Sequence, residues 1–232
     1  MEPDAQHRLG LLLGLLVDDP AAPTAIRTPE AALEDHLADA LVGLECSAVR
    51  VAQRALDLGS GPGLPGLPLA IALPSTAFTL LEGSSRKVAF LERAVELCGL
   101  ANVEVAHSRA ESYTAGRDRY DLVTARAVAP LPVVLEYAAP LLQIDGTLVV
   151  WRGRHEPDLE ASARRAAGEL GLGTPTITPV RPYPRAEHRH LYSIVKIDET
   201  PTRFPRRPGM ALKRPLGIRA PRTGPPSDRV QR

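Results

Sequence analysis

The stretch Ala55-Leu56-Asp57-Leu58-Gly59-Ser60-Gly61-Pro62-Gly63-Leu64-Pro65-Gly66 decides the reading of this 232-residue chain. Apolar residues of buried-strand character run into Asp57, glycines follow at alternate positions, and a helical apolar pattern at Leu67, Leu69, Ala70, Ile71 and Leu73 comes next. The implied order is strand, glycine turn, helix. Glycine permits positive φ and lets a ligand approach backbone that no Cβ shields, while the helix behind it begins with unpaired N–H groups. The bland alternative is a helix-entry turn with surplus glycine.

Two cofactor patterns compete for the stretch. Gly61-Pro62-Gly63-Leu64-Pro65-Gly66 fits the dinucleotide pattern GxGxxG, whereas Asp57-x-Gly59-x-Gly61-x-Gly63 fits the loop that holds S-adenosylmethionine (SAM). The second fits better, because Gly59 already ends the strand, which puts Leu64 where the dinucleotide pattern wants its third glycine. Asp57 weighs the same way: an acid inside the loop repels a pyrophosphate but can hold the ammonium of a methionine.

Outward from the loop, strands alternate with helices at the rhythm of a doubly wound, mostly parallel sheet. Strands are expected at 55–58, 77–81, 103–106, 120–124 and 147–151, with a closing pair at 177–180 and 191–197, seven in all. Glu82 ends the second strand about twenty residues past the glycine turn, where a carboxylate can accept both ribose hydroxyls of a nucleoside. Ser108-Arg109-Ala110-Glu111 follows the third strand, where an adenine would lie. Arg126 ends the fourth, at the carboxyl edge where such sheets bind ligands; a structural ion pair with Asp57 or Glu111 is the competing reading. Arg152 and Arg154 follow the fifth strand, and Arg86 and Lys87 occupy the first turn of the helix after Glu82, an unfavourable end for cations unless an anion lies near.

Ahead of the loop, Gln6–Val17 has helical spacing, and Thr28-Pro29-Glu30 opens a second helix with Leu33, Leu37, Leu41 and Leu44 along one face. His36 on it reads as a packing residue. The expected organisation is a helical extension over 1–53, a cofactor-binding domain over 54–199 and a basic tail over 200–232.

The net charge of +1 conceals an asymmetry. Acids dominate the first 45 residues, whereas after Thr200 nine cations, Arg203, Arg206 and Arg207 among them, face only Asp228. Seven prolines there argue for an extended tail, with a polyanionic partner as the functional reading and a solvated terminus as the bland one. Arg185, His188, Arg189 and His190 add charge near the last strand. The 44% apolar content suits one core of good size. Cys46 and Cys98 lie apart in apolar helical patterns, which suits reduced thiols; neither a metal site nor a disulfide is expected. No apolar run reaches membrane-spanning length, so a cytoplasmic protein is expected, and a monomer.

If the loop holds SAM, the reaction is displacement at the sulfonium methyl, and positioning does most of the catalysis. No Asp-Pro-Pro-Tyr occurs, which disfavours exocyclic base amines as acceptors. No Pro-Cys pair occurs either, so a covalent attack at pyrimidine C5 lacks its nucleophile. A ring nitrogen with a free lone pair remains, guanine N7 for example, and it needs no general base.

With these residues assembled, the chain resembles the bacterial 16S rRNA guanine-N7 methyltransferase family, also called glucose-inhibited division protein B. The likeness covers roughly residues 30 to 218. It runs through His36 to Leu41, Leu56 to Gly66, Ser84 to Leu91, Ser108 to Glu111, Ala125-Arg126-Ala127-Val128-Ala129-Pro130-Leu131, Arg189-His190-Leu191, and Phe204 to Gly209 with Lys213 to Leu216. The resemblance implies a class I methyltransferase fold, SAM as cofactor, and 16S rRNA or the 30S subunit as partner rather than DNA or membrane. It implies SAM contacts at Gly59, Gly61 and Leu64, the ribose on Glu82, the adenine by Ala110 and Glu111, and Arg126 in the ligand crevice. RNA would meet Arg86, Lys87, Arg154, Arg189, Arg203, Arg206 and Arg207, with Arg126 and Arg152 as positioning groups. Family members usually carry Arg-His, then Asp-Ser-Leu, where Asp35-His36 and Asp39-Ala40-Leu41 stand here, and Lys-Gly where Arg152-Gly153 stands; their N-terminal helical region is longer. Another RNA or a small molecule as acceptor, or an RNA-binding relative without turnover, are the alternatives.

Overall fold

The computed structural model describes residues 2–218. The first helix, α1 (Pro3–Asp18), starts on proline and buries Leu9, Leu12 and Leu16 at helical spacing. α2 (Pro29–Ala32) passes through a π-helical turn at Leu33–Ala38 into α3 (Asp39–Leu41), a 3₁₀ turn and α4 (Ser47–Val51). The wider π turn rotates the apolar face, so Leu37 and Ala40 are buried while Leu33, expected on the same stripe, stands 53% exposed.

From here strand and helix alternate: β1 (Arg54–Leu58), α5 (Gly66–Ala72), β2 (Ala77–Glu82), α6 (Ser85–Leu97), β3 (Val103–His107), β4 (Tyr120–Arg126), α7 (Leu131–Ala138), β5 (Leu142–Arg152), α8 (Pro157–Leu170), β6 (Thr176–Val180) and β7 (Arg189–Val195). The sheet order is β3-β2-β1-β4-β5-β7-β6, with every pair parallel except those of β7, which runs antiparallel to both β5 and β6. β5 starts five residues before the expected 147 because Asp145-Gly146 is a kink inside the strand: Asp145 takes φ +66° and the register against β4 shifts between Tyr120 and Leu122.

The N-terminal helices are not a separate layer. Leu12, Leu16 and Leu37 share one core with Leu64, Leu67 and Phe90 of the cofactor loop and its flanking helices. The segment after Thr200 also departs from the expected extended tail. Thr200 Oγ1 donates to Leu170 O (2.9 Å), Phe204 is buried, and α9 (Met210–Lys213) lies by α7 with Ala211 in the core. The cause is Glu136, fully buried inside α7, which needs a cation and finds Arg206 in a forked pair of 2.5–3.1 Å. The remaining tail cations, from Arg219 onward, lie outside the described residues.

Candidate functional site

The order of strands reverses between β1 and β4, and the crevice outside their carboxyl ends is where the loop after β1 sits. Gly59 takes φ +64°, and a Cβ there would lie 3.2 Å from a methyl of Val128, so the loop passes close under the turn that follows β4. Ser60 N donates to Leu81 O (3.1 Å) and Ser60 Oγ to Asp57 O (2.9 Å), which ties the loop to the ends of β2 and β1. Gly61 N donates to Glu82 Oε2 (3.0 Å), and Ser84 N to Glu82 Oε1 (2.9 Å). One carboxylate thus fixes the glycine loop and the β2–α6 turn together. Each of its oxygens keeps a second lone pair for a ligand.

A cavity of about 480 Å³ opens here. Gly59, Glu82, Ala110 and Glu111, four of the residues expected to meet the cofactor, line it. Val128, Tyr137, Gly209 and Leu212 line it as well, and sequence reasoning missed all four. Glu111 Oε1 accepts from Tyr137 Oη and from Gly209 N, both at 3.0 Å. Burial works against ionisation of Glu111, but these hydrogen bonds outweigh it and hold the carboxyl below its usual value. A long cleft with a glycine floor, an acid at one strand end and a second acid 29 positions on fits an adenosine with a methionine arm.

Of the four other predicted cofactor residues, Gly61 reaches the cavity only through its hydrogen bond to Glu82, and three stand elsewhere. Asp57 is wholly buried: Thr124 Oγ1 donates to its Oδ1 (2.7 Å) and Gly66 N to its Oδ2 (3.3 Å), so its carboxylate braces β4 and the start of α5 rather than meeting an ammonium. Burial pushes it up to about 6 against those hydrogen bonds. Gly66 is needed for the same contact, since a Cβ there would fall 2.8 Å from Asp57 Cβ. Leu64 is 3% exposed and packs into the core beneath the loop instead of lining the crevice. Arg126 turns away from the cavity toward Asp39, neither of the two acids expected to pair with it.

That pair belongs to a charged wall on the β4–β5–β7 side of the edge. Asp39, 5% exposed, accepts from Arg126 Nη1 (2.8 Å) and Arg189 Nε (3.1 Å), while its backbone oxygen accepts from Trp151 Nε1 (2.7 Å). Asp35 accepts from the Tyr183 hydroxyl, to which Arg189 Nη2 also donates (3.1 Å), and Arg185 pairs with Glu34. His36 meets Thr24 Oγ1 through Nε2 (2.8 Å), and burial, then the Arg126 charge, hold its ring below its usual pKa. Ala127, next to Arg126, takes φ +56°, a strained conformation that turns Val128 over Gly59.

The expected RNA contacts divide. Arg206 and Arg189 are claimed by Glu136 and Asp39, because each of those acids is buried and requires a partner. Arg152 pairs with Glu156 (2.6 Å), Lys87 approaches Glu82 (3.9 Å), and Arg203 lies over the Phe204 ring (4.7 Å). Arg86, Arg154 and Arg207 are exposed and make no ion pair among the described residues. Cys46 and Cys98 are free thiols.

A family described as "GidB: rRNA small subunit methyltransferase G" matches residues 21–173, two thirds of the chain and all of the crevice except its C-terminal contribution. This chain belongs to the rRNA small subunit methyltransferase G family. Ribosomal RNA small subunit methyltransferase G of Chloroflexus aggregans is 43% identical over 196 residues, 83% of this chain and 82% of that one. The namesake in Rubrobacter xylanophilus is 39% identical over 82% of this chain and 75% of its own. Among solved structures, a SAM-dependent methyltransferase from Aquifex aeolicus aligns with TM-score 0.55 and 17% identity over 84% of this chain and all of that one. A precorrin-6y methyltransferase from Geobacter metallireducens aligns with TM-score 0.52 and 14% identity over 78% of this chain and 96% of that one. At such identities these two carry the fold alone, a class I methyltransferase fold. Family membership makes the chain a SAM-dependent methyltransferase that acts on small-subunit rRNA. Among the described residues no helix is long and apolar enough to cross a membrane.

Proposed function

We propose that the chain transfers a methyl group to N7 of a guanine in 16S rRNA, with SAM in the crevice beside Gly59. The carrying observation is the run from the end of β4 into α7: Ala125 to Leu131 presents Arg126 and otherwise only apolar side chains, with no hydroxyl, thiol or carboxylate to take a proton. An exocyclic amine must lose a proton when methylated; N7 attacks with a lone pair and none is released.

When bound, SAM supplies a methyl on a sulfonium, a group that leaves with its bonding electrons on sulfur. The chain's residues do the rest by orientation. Gly59 and Gly61 form the floor along the methionine arm, Glu82 takes the ribose, and Ala110 and Glu111 flank the adenine. Val128 closes the loop from above, and Arg126, held by Asp39, fixes the acceptor side without touching the cofactor. Arg86, Arg154 and Arg207 meet phosphates. Residues 54–199 form the methyltransferase unit, with 1–53 a helical extension built into its core and 200–232 a basic C-terminal segment that is fastened to it as far as Gly217. The reading carries with it a cytoplasmic monomer.

The test is transfer of labelled methyl from SAM to 16S rRNA and to 30S particles, followed by nuclease digestion and mass analysis. N7-methylguanosine is the expected product from at least one of the two. Label on an exocyclic amine, or transfer only to small molecules, refutes the reading.

A further inference from the structure

We infer that the C-terminal segment over residues 204–213 is a wall of the cofactor crevice, and that Leu212 covers the adenine when SAM binds. The inference rests on the reading that the crevice holds SAM. The segment is fastened on both sides of α9. Before it, Arg117 Nη2 donates to Phe204 O (2.7 Å), Arg206 forks onto Glu136, and Gly209 N donates to Glu111 Oε1 (3.0 Å). After it, Gly217 O accepts from Arg165 Nε (2.7 Å) on α8.

Between these anchors α9 turns Ala211 into the core and leaves Leu212 57% exposed at the crevice, which both Leu212 and Gly209 line. A large apolar side chain held in water at the mouth of a cleft gains when an apolar group covers it. Leu81, Ala110 and Val128 line the same cleft, and with Leu212 they give it apolar surface of the kind against which a purine ring packs. Glu111 links the two parts: the oxygen that Gly209 fastens belongs to the carboxylate placed for the adenine edge, so the segment also sets that carboxylate's orientation.

The experiment measures SAM affinity by calorimetry on the full chain for wild type, Leu212→Ser, Leu212→Met and Glu82→Gln, with thermal unfolding of each without SAM. Leu212 is mostly exposed, so Leu212→Ser should unfold at the wild-type temperature yet bind SAM about 5- to 10-fold more weakly, and Leu212→Met should recover most of that. Wild-type SAM affinity in Leu212→Ser, with Glu82→Gln weakened, overturns the inference while leaving the crevice reading intact. Unchanged affinity in both variants overturns the crevice reading and this inference with it. Hydrogen exchange in wild type gives a readout free of substitution: SAM should slow exchange at residues 209–213, and equal exchange with and without SAM counts against the wall.

Discussion

On the β1–β2–β3 side of the carboxyl edge, backbone N–H groups and the Glu82 carboxylate shape the crevice, whereas on the β4–β5–β7 side the edge is walled by ion-paired side chains from distant parts of the chain. The floor of the cofactor side is local, although Gly209 and Leu212 reach its rim from the C-terminal segment. Asp57, Gly59, Gly61 and Glu82 fall within 26 residues, and their contacts follow from how a strand enters a glycine turn. The acceptor side is not: Asp39 joins Arg126, Trp151 and Arg189 across 87 to 150 positions. A common cofactor can be met by a short motif, while an acceptor wall must be assembled from whatever the topology brings to that edge.

The sharpest way to break this contrast is Asp39→Ala. It leaves Arg126, with only 16% of its side chain exposed, and Arg189 without their shared counter-charge, and should cost about 3 kcal/mol of unfolding free energy. SAM affinity should stay near wild type in the folded fraction while methyl transfer to 30S particles falls at least tenfold. If SAM binding fell as far as transfer, the two sides would be one unit and the contrast would collapse.

Gly66→Ala probes the local side. The new Cβ would press on Asp57 Cβ at 2.8 Å and on Leu80 Cδ2 at 2.5 Å, and because Asp57 is held by β4 it has little room to give. A loss of about 2 kcal/mol is expected, read by urea unfolding, with a weaker SAM site because α5 and the loop shift together.

This division also explains what was legible in the sequence. The ladder of strands and helices, the glycine turn and Glu82 at the end of β2 were readable because apolar period and turn chemistry are local properties. Arg126 was placed correctly at the end of β4, yet its partner was not among the two acids considered, since nothing local ties position 126 to position 39. The tail was misread for a related reason. Net charge and proline content describe the segment alone, while what fastens it is Glu136, a lone carboxylate in the otherwise apolar run Leu131–Ala138. That acid was the available signal: one buried in such a helix demands a cation, and the arginines after Thr200 were candidates. Asp57 shows the converse error, in which a residue inside the motif serves the fold beneath the loop.

Asp57 yields a pH-dependent difference between the two sides. Burial raises its carboxyl from 3.8 to about 6 in the folded chain, so the folded state holds that proton more tightly than the unfolded one. This group's contribution therefore favours folding below about pH 4 and is withdrawn as pH rises through 6. Asp57→Asn, which cannot ionise, should gain on wild type by about 2 kcal/mol between pH 4 and 7, most of it before pH 6.5. A stability difference that stays flat with pH would mean that Thr124 and Gly66 hold the ionised form as well as water does.

The smallest effect concerns RNA and asks which side of the edge its backbone follows. Arg86 stands in the first turn of α6 on the crevice side, Arg154 after β5 on the charged-wall side, and both are exposed and free of ion pairs among the described residues. A lysine or arginine on one phosphate adds a few tenths of a kcal/mol to about one and steepens the dependence of log affinity on log salt by about one. Arg86→Ala and Arg154→Ala should each weaken binding to 16S rRNA by about two- to fivefold and flatten that slope by about one if RNA spans both sides. Loss in one variant alone would assign the RNA path to that side. Arg189→Ala supplies the control: its guanidinium is engaged with Asp39 and Tyr183, so its removal should lower the unfolding temperature and leave the salt slope unchanged. A flattened slope there would show that RNA competes with Asp39 for the same arginine, and the charged wall would then be part of the binding surface rather than its support.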